Sequence, residues 1–126
     1  HWVCSTDAPA GRPYPWMCYL NAMCLDVYPL EAMVKVGDTL SDVQEGLNAQ
    51  MWTVAVTRTG NELGLSEEEV EALAQEDLVR CLDAIAARFQ AAGAHYVVES
   101  VAELPDVVRR VNERLAQGEL PGPERR

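Results

Sequence analysis

No stretch of the sequence approaches the ~18 apolar residues that a membrane-spanning helix needs, and none reads as a signal peptide. Basic residues are scarce. Ten Lys and Arg stand against twenty Asp and Glu, a net charge of −10. A nucleic-acid-binding face needs the opposite balance and is not expected here. There are only two histidines, and Cys4, Cys18, Cys24 and Cys81 show no C-x-x-C spacing. A zinc site is therefore not expected; buried, reduced thiols in a cytoplasmic protein are. Internal repeats and low-complexity segments are also missing.

What remains is ordinary globular composition, 48% hydrophobic and 24% charged over 126 residues. That length suits one domain with a modest core. The chain opens at His1, without a methionine and close to a strand candidate, Trp2–Ser5, as a piece of a longer protein would. A loop from Asp7 to Gly11 leads through Arg12-Pro13-Tyr14-Pro15 into a helix. Trp16, Leu20, Met23 and Val27 recur there at helical spacing and are expected to face the core. Two further strands are predicted at Trp52–Val56 and Tyr96–Val98. A capping box at Ser66–Glu69 opens a helix with Val70 and Leu73 on one face. A second helical run turns Leu78, Cys81, Leu82, Ile85 and Phe89 inward, with Gly93 at its end. A last stripe of Leu104, Val108, Val111 and Leu115 follows the Ser100/Glu103 capping pair, with Pro105 bending or restarting the helix. Strands alternating with helices predict an α/β fold with a parallel sheet. Strands Met33–Val36, Trp52–Val56 and Tyr96–Val98 should be adjacent and parallel, with Trp52–Val56 in the middle and Trp2–Ser5 set apart from them. The tail from Gly118 to Arg126 is expected to be disordered, which leaves residues 1–117 as the domain.

The stretch Met33–Asp42 organises the chain. Val34 and Val36 read as a buried strand, and Gly37 lets the backbone turn where the strand stops. Ser41 is the expected N-cap of a helix running to about Asn48. Asp38 then lies on the strand-to-helix turn and Asp42 in the first helical turn. Ligands bind at this end of the strands in open α/β sheets. Two carboxylates this close repel unless a cation or a donor lies between them, and a hard ion such as Mg²⁺ takes oxygen ligands of this kind. Turns and first helical turns also favour Asp on their own account. Arg12 follows Gly11 in a loop directly after the first strand candidate. A guanidinium there can fork onto phosphate oxygens or hold an aspartate.

Ala10-Gly11-Arg12-Pro13-Tyr14-Pro15-Trp16-Met17, then Lys35-Val36-Gly37-Asp38-Thr39 and Asp42, resembles the haloacid dehalogenase superfamily. More narrowly, these segments and the run Asn61–Val70 resemble the phosphonoacetaldehyde hydrolases, or phosphonatases. The resemblance runs from about Asp7 to Leu115. It implies a three-layer, Rossmann-like parallel sheet of the haloacid dehalogenase type. Only the C-terminal part of such a core would be present, without the cap domain and the first strands. The family hydrolyses phosphonoacetaldehyde, a small-molecule phosphonate, to acetaldehyde and phosphate with Mg²⁺. A cap lysine forms a Schiff base with the aldehyde, and an aspartate attacks phosphorus. By resemblance, Asp38 is the metal ligand, and Asp42 supports it by hydrogen bonding to the surrounding loops. Arg12 neutralises phosphoryl charge, and the intact enzyme is a homodimer.

Two departures bear on the reading. The family's nucleophile loop, Schiff-base lysine and hydroxyl-bearing phosphate loop have no counterpart in these residues, so this chain alone is expected to be inactive. Lys35 lies inside a strand and is not that lysine. Gln50 stands where relatives usually have glycine, and a strained turn is expected before Trp52. The alternatives are a general phosphatase or mutase of the superfamily, which a cap lysine would exclude, and an inert, non-catalytic α/β fragment. A phospho-acceptor signalling domain would carry its acidic pair on earlier strand ends and a lysine later, which this order does not show.

Overall fold

The computed structural model describes residues 1–58 and 61–122. Its centre is a three-stranded parallel sheet. Strand β1 (Val34–Gly37) pairs with β2 (Trp52–Val56), Val34 opposite Trp52 and Gly37 opposite Ala55. Strand β3 (Tyr96–Val98) pairs along the other edge of β2, Val54 opposite Tyr96 and Val56 opposite Val98. The order is β1-β2-β3, as the sequence predicts. All five residues of β2 are buried, as a middle strand covered on both faces must be.

Helices α2 (Leu40–Asn48) and α4 (Gln75–Ala91) serve one face, where Val43, Ala55, Ile85 and Phe89 form a core cluster. Helix α5 (Leu104–Ala116) covers the other, packing Val107 and Val111 against Trp52, Val54 and Val56. The alternation of β1 follows from this. Val34 and Val36 join the α5 side, so Lys35 and Gly37 fall on the α2 side. A third cluster joins Cys18 of α1 (Trp16–Leu25) to Ala49 and Met51, the residues between α2 and β2. The short helix α3 (Glu67–Ala72) starts at the expected capping box: Ser66 N–H donates to Glu69 Oε2 at 2.7 Å, and Glu69 N–H donates to Ser66 Oγ at 3.2 Å. Among the described residues, no helix is long and apolar enough to cross a membrane.

Several expectations need correction. Trp2–Ser5 is not a strand: Ser5–Asp7 is a 3₁₀ turn in which Asp7 Oδ2 accepts the Cys4 N–H, and Trp2 is 93% exposed. A strand needs a paired neighbour, and the segment has none among the described residues. Helix α1 buries Cys18 and Ala22 in place of Trp16, Leu20, Met23 and Val27; Trp16 and Met23 are exposed. That helix is apolar almost all round, so periodicity does not select a face. In α5 the inward residue is Val107 and Val108 is exposed; in α4 Cys81 is exposed, as are Cys4 and Cys24. The N-cap of α2 is Thr39, two residues before Ser41. Asn61–Leu63, in the Asn61–Leu65 stretch where a loop is expected, forms a 3₁₀ turn. Pro105 occupies the first turn of α5, where its missing N–H costs nothing. The tail has a place up to Gly122: Pro121 is buried, and its carbonyl accepts the His95 Nε2–H at 2.9 Å. Residues 123–126 of that segment lie outside the described residues.

Candidate functional site

The loop after β1 is built around one carboxylate. Asp42 is 5% exposed. Its Oδ2 accepts the backbone N–H groups of Asp38 and Thr39, both at 3.2 Å, and the Thr39 hydroxyl at 2.8 Å. Thr39 Oγ1 accepts the Asp42 N–H in return, which closes the N-terminus of α2. Gly37 makes the approach possible, because a Cβ there would overlap the Asp42 side chain. The strand end, the glycine and the cap thus fix where the Asp38 backbone sits. The Asp38 carboxylate is half-buried just beyond β1. Its Oδ2 accepts the Asn61 N–H at 3.2 Å, while Oδ1 has no partner among the described residues.

The other oxygen of Asp42 faces two cations. Arg12 Nη1 donates to Oδ1 at 2.8 Å, and Lys35 Nζ lies 3.4 Å from the same atom. Lys35 also lies 3.3 Å from Oε1 of Glu45, one helical turn along α2. Cys18 Sγ–H donates to that same Glu45 oxygen at 3.1 Å, and the buried Oε2 has no partner among the described residues. The Arg12 loop is tied to α2 by Asn48, which donates to the Pro13 carbonyl at 2.8 Å. Arg12, Lys35, Asp42 and Glu45, with Ser5 and Asn21, line an open cavity of about 520 Å³.

These contacts set the charge states. Burial pushes the Asp42 carboxyl up, but the hydrogen bonds from Arg12 and Thr39 and the charge of Lys35 outweigh it and hold the group at about 2. The bond to Asp42 raises the Arg12 guanidinium further. Burial, followed by the hydrogen bond to Glu45, pushes the Cys18 thiol up to about 12, so it is an inert donor and not a nucleophile.

Of the three residues singled out from the sequence, Asp42 meets Arg12 side chain to side chain and holds Asp38 by its backbone N–H. The Asp38 carboxylate pairs with Asn61 and is not among the cavity's lining residues. Lys35, Glu45 and Thr39 were not singled out. A lysine inside a strand gives no sign of its partner. The signal for Glu45 was its spacing: Asp42 and Glu45, three apart on one helix, share a face. Asp42 has no oxygen left for an ion. Asp38 has one, which fits a single ligand of Mg²⁺, an ion often held by one or two carboxylates together with phosphate oxygens and water. Among the described residues, no three His, Cys, Asp or Glu are grouped as a metal site.

An open parallel α/β sheet with this acidic and basic cluster at its carboxyl edge defines a haloacid dehalogenase-like core. No protein-family model matches the chain. Relatives that match nearly the whole of this chain are, however, named phosphonoacetaldehyde hydrolases. A phosphonoacetaldehyde hydrolase-like protein of Syntrophobacter fumaroxidans is 60% identical over 119 residues, 94% of this chain and 43% of that protein. A phosphonoacetaldehyde hydrolase of the same organism is 54% identical over the same shares. The crystal structure of a phosphonoacetaldehyde hydrolase-like protein from Oleispira antarctica superposes with a TM-score of 0.91 at 44% identity, over 94% of this chain and 43% of that one. The chain thus spans about two fifths of the length of these relatives.

Proposed function

We propose that this chain is the C-terminal part of a phosphonoacetaldehyde hydrolase and supplies the metal-ligand and charge-neutralising side of its active site. In the intact enzyme the reaction is hydrolytic cleavage of the P–C bond: phosphonoacetaldehyde and water give acetaldehyde and phosphate. The observation that carries this reading is the contact of Asp42 with both the Arg12 side chain and the Asp38 backbone at the end of β1, in a chain with relatives of that name.

The contacts support these roles. Asp42 spends both oxygens inside the protein, so it orients: it holds the Asp38 backbone and steadies the Arg12 fork. Arg12 is about half exposed and engages Asp42 through Nη1, which leaves its remaining N–H groups toward the cavity for phosphoryl oxygens. Asp38 offers Oδ1 to Mg²⁺. When bound, Mg²⁺ would screen the charge on the phosphoryl oxygens. Positioned cations of this kind are the main source of rate in phosphoryl transfer.

The nucleophilic aspartate and the imine-forming lysine belong to the remainder of the enzyme, so two contributions to lowering the barrier are missing from this chain. The test is to purify residues 1–126, supply phosphonoacetaldehyde and Mg²⁺, and couple acetaldehyde release to a dehydrogenase. No turnover above the uncatalysed rate is expected. Turnover comparable to a full-length relative, lost on Asp38→Asn, would show that the site is complete here.

A further inference from the structure

Lys35 is the chain's only lysine. It leaves an edge strand toward α2, is about one-fifth exposed, and stands between two buried carboxylates. Asp42 and Glu45 are 5% and 2% exposed and one helical turn apart. Two such carboxylates repel strongly in a low-dielectric setting. Gly46 leaves room for the base of the Lys35 side chain: a Cβ there would meet Lys35 Cβ and Cγ at 2.9–3.0 Å and overlap the Thr53 hydroxyl. Glu45 in turn is anchored by the Cys18 thiol at the oxygen that faces Lys35.

We infer that Lys35 is a positioning residue for Arg12. It carries part of the charge of Asp42 while Glu45 keeps it turned inward, so Asp42 holds Arg12 by a single N–H and the rest of the guanidinium stays available to an anion. The inference rests on the proposed role of Arg12. The reasoning is one of charge balance. The formal charges of Arg12, Lys35, Asp42 and Glu45 sum to zero, with Asp42 shared by both cations and Glu45 facing Lys35. Without Lys35, two buried carboxylates face one guanidinium. Arg12 is then drawn inward and locked on Asp42. Without the charge of Glu45, Lys35 turns wholly onto Asp42 and Arg12 is loosened. The two substitutions therefore act on Arg12 in opposite directions, which a loss of packing alone would not produce.

The test uses the 126-residue chain, side-chain nitrogen NMR and inorganic phosphate. In the unaltered chain the single lysine should give a protected ammonium signal. Lys35→Met should slow rotation of the Arg12 guanidinium and weaken phosphate binding several-fold. Lys35→Arg should restore both, and Glu45→Gln should speed the rotation. If Lys35→Met does not fold, Glu45→Gln and the native ammonium signal still decide. An Arg12 spectrum unchanged by either substitution, or a freely exchanging Lys35 ammonium, overturns the inference. Phosphate affinity unchanged by Arg12→Met would instead overturn the role of Arg12. The Arg12 spectrum needs no ligand, so the two failures are distinguishable.

Discussion

Asp42 Oδ2 accepts the backbone N–H of Asp38, four residues earlier, at 3.2 Å. One aspartate therefore acts as scaffold for the other, and the two substitutions should separate. Asp42→Ala removes the loop's acceptor and leaves Arg12 and Lys35 without their shared partner. A loss of roughly 1–3 kcal/mol is expected, the cost of leaving the loop's N–H donors without their acceptor. Asp38→Asn keeps shape and hydrogen-bonding capacity at a half-buried position and should stay within about 0.5 kcal/mol of the parent. Urea denaturation of both variants checks this.

Acid should expose the same carboxylate. The Asp42 pKa is lowered by folding, from 3.8 to about 2, so the ionised group favours the folded chain. That contribution, about 2 kcal/mol, is fully present above pH 3.8 and is lost as the pH falls toward 2. His95 adds a second step at higher pH. Burial lowers its pKa, and as a neutral ring it accepts the Thr53 N–H on Nδ1 at 3.0 Å while donating from Nε2 to Pro121. Protonation removes the acceptor. Stability should be full above pH 6.5 and decline as the pH falls below that value toward the folded-state pKa. Denaturation midpoints from pH 7.5 to 5 should show this decline in the parent and not in His95→Asn.

Gln50 sits at φ 61°, in the left-handed region. A non-glycine residue there costs ~1–2 kcal/mol, partly offset by the entropy that glycine would lose. Gln50→Gly should stabilise the chain by roughly 0.5–1 kcal/mol in thermal or urea unfolding, with no change at Arg12 or Asp38. A destabilised variant would mean that the glutamine's own contacts outweigh the strain.

Where the sequence was read correctly, a local rule coincided with the tertiary result. Trp52–Val56 is a continuous apolar run and became the fully buried middle strand. Gln50 marks a backbone turn at positive φ, as expected; Gly37 is required at the strand end, though by the close approach of the Asp42 side chain. Arg12, Asp38 and Asp42 were singled out because their spacing resembles a family pattern, not because their contacts can be read from the chain. Local rules failed where the partner is distant. Cys18 and Ala22 are the buried face of α1 because Ala49 and Met51 lie against them, and nothing in an almost uniformly apolar helix signals that. Lys35 meets Glu45 only once β1 and α2 pack together. Trp2–Ser5 has strand-like residues but no strand beside it.

The central claim is that Asp38, Asp42 and Arg12 serve a phosphonoacetaldehyde hydrolase site. The most direct measurement grafts the matching stretch of this chain into the 54%-identical phosphonoacetaldehyde hydrolase of Syntrophobacter fumaroxidans. Acetaldehyde release from phosphonoacetaldehyde is then followed across a Mg²⁺ titration, with and without Asp38→Asn. The account predicts an active chimera that loses Mg²⁺-dependent turnover on Asp38→Asn while remaining folded. A folded but inactive chimera, or an Asp38→Asn variant with undiminished activity at limiting Mg²⁺, would contradict it.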